Sequence, residues 1–453
     1  MKSFSPVVIV ASVQLLLLVA TVTTAFLSPT TTTTTTPAIA FAKNVNGQKG
    51  WTGSLFMEMN DVENTIISSS SDRRDFLRTT VTTAGTAVLT GASLSPLKPS
   101  AARAAGTGTA AVAASAVTRT KKASPIQLPP LGLGAWAWGD SFFWGYDKKN
   151  DDELRKVFDY AVSESKTSTT LFDTAELYGF GRSETLLGEF SKTIPPGKQV
   201  QIATKFAALP TRTKPENVVK ACQASVRRLG GNPIDLYQIH FPNAYANEAY
   251  WDGLAMAYEQ GLVKAVGVSN YGVDAIRACH AKLAERGIPL STDQIQLSLL
   301  YTYPLNNGLM DTCKELGVQV LSYSPLGLGM LTGKYNKDNL PKGPRNILFR
   351  NLQTTPDYQN LLTTMDQVAA KHKDATKAQV AINWAINKGS VPIPGARTVS
   401  QVQKNYAALD WKLSKADEKM LDKAAAKVTT FTKPEASPFP KKDKDTGLVM
   451  FDS

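Results

Sequence analysis

Cysteine and histidine are both scarce in this 453-residue chain, at three each. Cys222, Cys279 and Cys313 are odd in number and far apart, and no C-x-x-C pair occurs. A disulfide framework and a thiolate zinc site are therefore excluded, and no metal is expected. The opening apolar run, Val7 to Ala20, is broken by Ser12 and Gln14. It falls short of the roughly 20 apolar residues that cross a bilayer. No Lys/Arg cluster is interleaved with aromatics, so the net charge of +12 does not point to nucleic acid. Residues 1–122 hold 11 Lys/Arg against 5 Asp/Glu, so half of the basic excess lies in the first quarter. No G-x-G-x-x-G joins a first strand to a first helix, which argues against a doubly wound dinucleotide fold. The 43% hydrophobic content is enough for a core and excludes wholesale disorder.

The first quarter has the character of addresses. Residues 1–25 combine Lys2, the apolar run and a small-residue exit, the pattern of a signal peptide. Residues 26–70 follow as a plastid transit peptide: a Thr run spans Thr30 to Thr36, and no acidic residue occurs from Phe26 to Met57. Joined at Ala25-Phe26, the two resemble the bipartite presequence of algae with secondary plastids. Within 71–105, Asp72-Arg73-Arg74-Asp75-Phe76-Leu77-Arg78 resembles a twin-arginine motif, followed by the mild apolar stretch Thr79–Leu94 and an A-x-A site at Ala102-Arg103-Ala104. Plastid location is expected, with stroma and thylakoid lumen both open. Residues 106–124 read as a linker.

From residue 125 to 430, strand and helix patterns alternate. Candidate strands are Leu131–Gly134, Thr170–Asp173, Gln199–Lys205, Ile234–His240, Val263–Ser269, Thr292–Leu297, Val318–Tyr323 and Val391–Ile393. Their near-continuous apolar character fits parallel strands buried on both faces. Helical patterns lie between them, including Asp152–Glu164, Pro215–Leu229 and Ala378–Asn387. Eight such units in about 300 residues predict an α/β fold, a (β/α)8 TIM barrel, behind a cleavable N-terminal presequence. Residues 431–453 form a Lys/Asp/Pro-rich tail.

Chemistry in such a barrel belongs at the C-terminal strand ends. There stand Asp173, with Tyr178 five residues on, then Lys205 and His240. Each has an ordinary structural use, but an acid, a phenol, an amine and an imidazole at three consecutive strand ends converge on one mouth. The set suits proton donation to a carbonyl. A phenol is a weak acid near neutral pH, an adjacent ammonium is expected to lower its pKa, and a carboxylate keeps that ammonium charged. No nucleophile has an adjacent base, and side chains cannot deliver hydride, so a nicotinamide cofactor is implied.

The motifs Phe172-Asp173-Thr174-Ala175-Glu176-Leu177-Tyr178-Gly179, Thr204-Lys205, Asp235-Leu236-Tyr237-Gln238-Ile239-His240, Gly267-Val268-Ser269-Asn270, Asp293-Gln294, Tyr323-Ser324-Pro325-Leu326-Gly327 and Ile393-Pro394-Gly395-Ala396-Arg397 occur in order. In these the chain resembles the aldo-keto reductase family, over about residues 126–430. The resemblance implies a catalytic tetrad of Asp173, Tyr178, Lys205 and His240, with Tyr178 the general acid in reduction of an aldehyde or ketone by NADPH. It implies that Ser269, Asn270 and Gln294 hold the nicotinamide carboxamide and that Tyr323 stacks on the ring. The segment Ser324, Leu326, Gly327, Gly329 to Lys334 would clasp the pyrophosphate. Arg397, just past Gly395 at a helix start, would grip the adenosine 2′-phosphate, with Gln401 and Asn405 on the next helix face.

Aromatics crowd the segment after strand one: Trp136, Trp138, Phe142, Phe143, Trp144 and Tyr146. Trp136 and Trp138 are the candidate walls of a pocket for a flat or apolar carbonyl substrate. This stretch resembles plastid plant members of the family, some linked to pyridoxal reduction or to plastoglobules. The expected partner is a small-molecule carbonyl compound, with no nucleic acid and no stable transmembrane span in the mature form; thylakoid or plastoglobule association is a further expectation. A second reading makes the barrel an NADPH-binding regulatory or redox-sensor protein, as in channel β-subunits.

Overall fold

The computed structural model describes residues 126–428, apart from Pro210, Ala244, Tyr245 and Pro344, and the short antiparallel pair Lys441–Lys442 with Val449–Met450. The presequence and linker expectations, and most of the tail, lie outside the described residues.

Eight parallel strands pair in sequence order: β1 (Gly132–Gly134), β2 (Thr169–Asp173), β3 (Gln199–Phe206), β4 (Leu236–Ile239), β5 (Val266–Ser269), β6 (Leu290–Gln296), β7 (Gln319–Tyr323) and β8 (Ser390–Pro392). The ring closes where Gly134 bridges Gly395 and the Gly134 N–H donates to the Pro394 carbonyl at 3.1 Å. This is the expected (β/α)8 barrel, and each strand falls within two or three residues of its sequence-based span.

Alternation along the strands sorts the barrel into layers. Leu171, Ala203, Leu236, Ala265, Leu321 and Ile393 fill the lower interior, against Ile126 and Leu128. Gln201 and Gln319 hold that entering chain by donating to the Gln127 and Ile126 carbonyls at 3.0 and 2.6 Å. Two residues further along β2 and β3, the same inward face presents Asp173 and Lys205 instead of carbon. Gln238, Thr292 and Gln294 join this polar layer. Gly267 is demanded by it, because a Cβ there would lie 2.1 Å from Thr292 Oγ1.

Outward residues pack against the helices. Phe172 stacks on Phe158 at 4.8 Å and packs at a tilt against Trp138, joining β2 to the helix Asp151–Ser163. Helix starts are marked in the sequence: Pro215 stands at the first position of one, and Thr376 with Gln379 forms a capping box for Lys377–Asn387. Three helices longer than two turns have no counterpart in the sequence-based expectation, Arg345–Gln353, Pro356–Ala369 and Lys415–Ala425. The second and third pack on each other and on Trp384, forming a second apolar cluster beside β7 and β8. Their apolar spacing is legible at Tyr358, Leu361, Met365 and Val368, but an eight-unit template asks for nothing there.

Asp293 is the exception to this sorting. It points out of β6 into the helix layer, fully buried, and neither oxygen has a hydrogen-bond partner among the described residues. Burial pushes its pKa well above the usual carboxylate value, and the nearby Tyr271 backbone N–H offsets only part of that. A raised folded-state pKa means the native state binds the proton that the unfolded chain loses near pH 4, so stability declines as pH rises through that window. Asp293→Asn is expected to raise Tm, and to raise it more at pH 8 than at pH 4. A melting series across that range checks this; a gain independent of pH, or a loss, contradicts it.

Candidate active site

The site begins with a buried ion pair. Lys205 Nζ donates to Asp173 Oδ1 at 2.6 Å and to the Thr174 carbonyl at 2.8 Å. Gln294 Nε2 donates to Asp173 Oδ2 at 2.7 Å, so both carboxylate oxygens are held. Both residues sit inside the barrel, Lys205 wholly shielded from solvent. Burial pushes the Asp173 carboxyl up while Lys205 and Gln294 pull it down. Burial likewise pushes the Lys205 ammonium down, against the pull of Asp173.

Tyr178 lies above this pair, its ring centroid 5.1 Å from Lys205 Nζ and 5.8 Å from the His240 ring, edge to face. A sharp turn sets it there. Gly179, Phe180 and Gly181 all have positive φ, at 57°, 52° and 92°. A Cβ on Gly179 would lie 2.3 Å from the Gly139 carbonyl oxygen, so this glycine lets the loop after β2 lie directly on the loop after β1. Phe180, next in the turn, is 84% exposed at the rim.

The electrostatics correct one expectation. The Tyr178 phenol is held well above its ordinary pKa, first by burial and then by the charge of Asp173, rather than lowered by Lys205. Lys205 spends donors on Asp173 and Thr174 and its charge does not outweigh burial and Asp173, so Tyr178 keeps its proton throughout the neutral range. His240 is pushed well below its ordinary value by burial and by the Lys205 charge, which makes it a neutral imidazole at pH 7. Its Nδ1 has no partner among the described residues.

The other candidates are distributed around this centre. Ser269 Oγ donates to the Gln294 carbonyl at 2.7 Å. Asn270, at φ 63°, donates to the His240 carbonyl at 3.0 Å and accepts from the Tyr323 hydroxyl at 2.9 Å. Ser269, Asn270, Gln294 and Tyr323 thus form one network beside the tetrad. Ser324, Gly327 and Gly329 all take positive φ in the strap after β7, whereas Leu326 does not. A Cβ on Gly327 would lie 2.8 Å from Leu300. Lys334 is exposed at the end of the strap, its Nζ 5.4 Å from the Tyr335 ring. Gly395 is part of the barrel closure, and the Arg397 N–H donates to Gln401 Oε1 at 2.6 Å. Asn405 is buried, and its Nδ2 has no partner among the described residues.

The two tryptophans part company. Trp136 stacks on Tyr178 at 6.0 Å and on Phe143 at 5.0 Å, with its indole N–H donated to Asp140 Oδ2 at 2.9 Å. Trp138 is 1% exposed, packs on Phe172 and Phe190, and donates to the Ala396 carbonyl at 2.7 Å. It is a core residue and cannot wall a pocket: the chain turns after β1 and carries residue 138 into the helix layer, away from the mouth. Sequence reasoning also passed over Asp140, Gln238 and Arg345. Asp140 orients Trp136, Gln238 lies in the polar layer beside Asp173, and Arg345 packs on Trp144 at 4.5 Å. The first stands two residues from the Trp pair in a Gly-Asp turn, the one signal that could have marked it.

Residues 130–426 match the Aldo/keto reductase family. The chain is 45% identical over 316 residues to a chloroplastic pyridoxal reductase of Arabidopsis thaliana, covering 67% of this chain and 85% of that one. Among solved structures, the glycerol dehydrogenase of Gluconobacter oxydans superposes with a TM-score of 0.57 at 25% identity, over 67% of this chain and 93% of that one. An aldo/keto reductase of Klebsiella pneumoniae, crystallised with NADP and acetate, shares the fold at a TM-score of 0.53 and 21% identity, over 69% and 95% of the two chains. The chain belongs to the aldo/keto reductase family and is an oxidoreductase.

Proposed function

We propose that this protein reduces an aldehyde or ketone to an alcohol with NADPH, Tyr178 giving the proton. The observation that carries the reading is a protonated phenol and a neutral imidazole held at one mouth above a fully hydrogen-bonded Asp173–Lys205 pair. NADPH, when bound, supplies the hydride that no side chain can. The residues fit that group. Ser269, Asn270 and Gln294 offer amide and hydroxyl groups for its carboxamide and Tyr323 a ring face for the nicotinamide. The positive-φ strap from Ser324 to Lys334 offers a backbone cradle for the pyrophosphate. Gly395, Arg397, Gln401 and the unpartnered Nδ2 of Asn405 line the adenosine end.

The raised pKa of Tyr178 does not disable it as an acid. The oxygen of a reduced carbonyl is an alkoxide, a base comparable to hydroxide and stronger than a phenolate. Proton transfer from even a reluctant phenol to it runs downhill. Lys205, 5.1 Å from the ring centroid, favours the phenolate once it forms, and Asp173 keeps that ammonium charged. His240 orients the carbonyl oxygen. Trp136, stacked on Tyr178, sets a flat aromatic face beside the acid, which suits a flat substrate. Pyridoxal, a flat heteroaromatic aldehyde and the compound in the name of the Arabidopsis relative, is the first candidate among them.

That relative is chloroplastic, which supports a plastid location for this chain together with the address-like residues 1–125. A fluorescent fusion of residues 1–125 is expected to enter the plastid; a fusion that stays in the cytosol contradicts this. Loss of deeper sorting on replacing Arg73 and Arg74 would assign the lumen, and no change the stroma.

NADPH oxidation by the purified protein against pyridoxal and an aldehyde panel tests the reaction. Turnover is expected, and Tyr178→Phe should cut it by at least about 100-fold while leaving NADPH affinity within a few fold. Tight NADPH binding without turnover of any carbonyl would favour a sensor role and overturn the enzyme reading.

A further inference from the structure

The Trp136 ring is held between two others. Its centroid lies 6.0 Å from that of Tyr178, with 28° between the planes, and 5.0 Å from that of Phe143, with 6° between them. One carboxylate sets both rings of the Trp136–Phe143 stack. Asp140 Oδ1 accepts from the Phe143 backbone N–H at 2.9 Å and so caps the single-turn helix Ser141–Trp144. Asp140 Oδ2 accepts from the Trp136 indole N–H, also at 2.9 Å.

Asp140 is itself tied to the loop of the candidate acid. It is 5% exposed, and its backbone carbonyl accepts from the Tyr146 N–H at 3.0 Å, which closes the loop after β1 on itself. Its neighbour Gly139, at φ 100°, lies on Gly179, the neighbour of Tyr178, so closely that neither could carry a side chain there. Asp140 and Tyr178 thus flank one backbone contact, and the Trp136 indole bridges them a second time. The Asp140 charge also reaches the phenol: after burial, Asp173 and Tyr323, it helps to keep Tyr178 protonated.

Capping alone does not call for a buried carboxylate, since Ser or Asn caps a helix as well as Asp does. Two N–H donors converging on one side chain do call for it. A carboxylate offers each of them an acceptor, whereas an asparagine would turn its own N–H groups on one of the two.

Resting on the reading that this site reduces carbonyl compounds, we propose that Asp140 is the positioning residue for substrate choice. By clamping the Trp136 indole, it makes the site prefer flat aromatic carbonyl compounds to saturated ones of the same size. A stacked aromatic pair adds about two- to tenfold in affinity beyond the area it buries. A loose indole would have to be ordered anew at each binding, which cancels much of that gain. A saturated ring makes only apolar contact, which a loose indole supplies as well.

Two pairs of probes test the clamp on the whole protein. Kinetics at saturating NADPH compares benzaldehyde with cyclohexanecarbaldehyde, and calorimetry on the protein saturated with NADP compares the unreactive benzamide with cyclohexanecarboxamide. The parent is expected to favour the flat member of each pair. Asp140→Ser keeps a cap for the Phe143 N–H but gives up the indole. It should cut the preference about threefold to tenfold, with the kinetic loss in the KM for benzaldehyde rather than in kcat. Asp140→Asn, the closest in shape, guards against a failure of the serine variant to fold and should cut the preference in the same direction. Trp136→Phe removes the indole N–H, and in that background Asp140→Ser should change the preference by less than about twofold, because the clamp has nothing left to hold. An equal loss in both backgrounds, or a fall in kcat alone for both aldehydes, would show that Asp140 only stabilises its loop and would overturn the proposal. So would a parent without the preference, or folded Asp140 variants that keep it. A preference seen by calorimetry and lost in the Asp140 variants, in a protein that reduces neither aldehyde, would leave the clamp standing and sink the enzyme reading instead.

Discussion

A carboxylate and an ammonium placed side by side inside a barrel impose conditions on everything around them. Breaking such a pair by removing one partner costs about 3–5 kcal/mol, because the survivor is left charged and dry. The pair is kept by saturating it: Asp173 accepts from Lys205 and Gln294, and Lys205 also donates to the Thr174 carbonyl. Those partners come from β2, β3, β6 and the start of a loop, so the pair ties together the upper ends of three of the eight strands. The glycine at position 267 follows from the same crowding.

Above the pair the surroundings turn aromatic. Trp136, Phe143, Trp144, Tyr178 and His240 form a connected set of rings, and the glycines of the Tyr178 turn let two loops share that space. Low polarity at the mouth explains the direction of every displaced titration there: the phenol is kept protonated and the imidazole neutral. The charged groups lie below and to one side, at the ion pair and at Arg345. A carbonyl at this mouth would meet proton donors that are uncharged at rest.

Much of this was legible in the sequence, because strand ends are read by chain order and the barrel turns that order into a circle. Asp173, Lys205 and His240 could be placed at one rim from spacing alone, and Tyr178 from its loop. Side-chain direction beyond the strands was not legible. Trp136 and Trp138 differ by two residues, yet one faces the mouth and the other the helix layer, since the chain turns between them. The effect of Lys205 on Tyr178 was misjudged because it depends on where the ammonium spends its hydrogen bonds. Arg345 went unseen because its partner Trp144 stands some two hundred residues earlier, and only the fold brings them together.

The dependence on the ion pair is tested most directly by Asp173→Asn, assayed for NADPH-driven reduction of pyridoxal or a better aldehyde at saturating cofactor across pH 6 to 10. Burial already pulls the Lys205 proton off early, and Asp173 opposes this. Removing the carboxylate should therefore lower the rate at pH 7 by at least about 100-fold and move the alkaline fall in activity to lower pH. A variant with the parent's rate and the parent's alkaline limb would show that the pair is only structural and contradict the account.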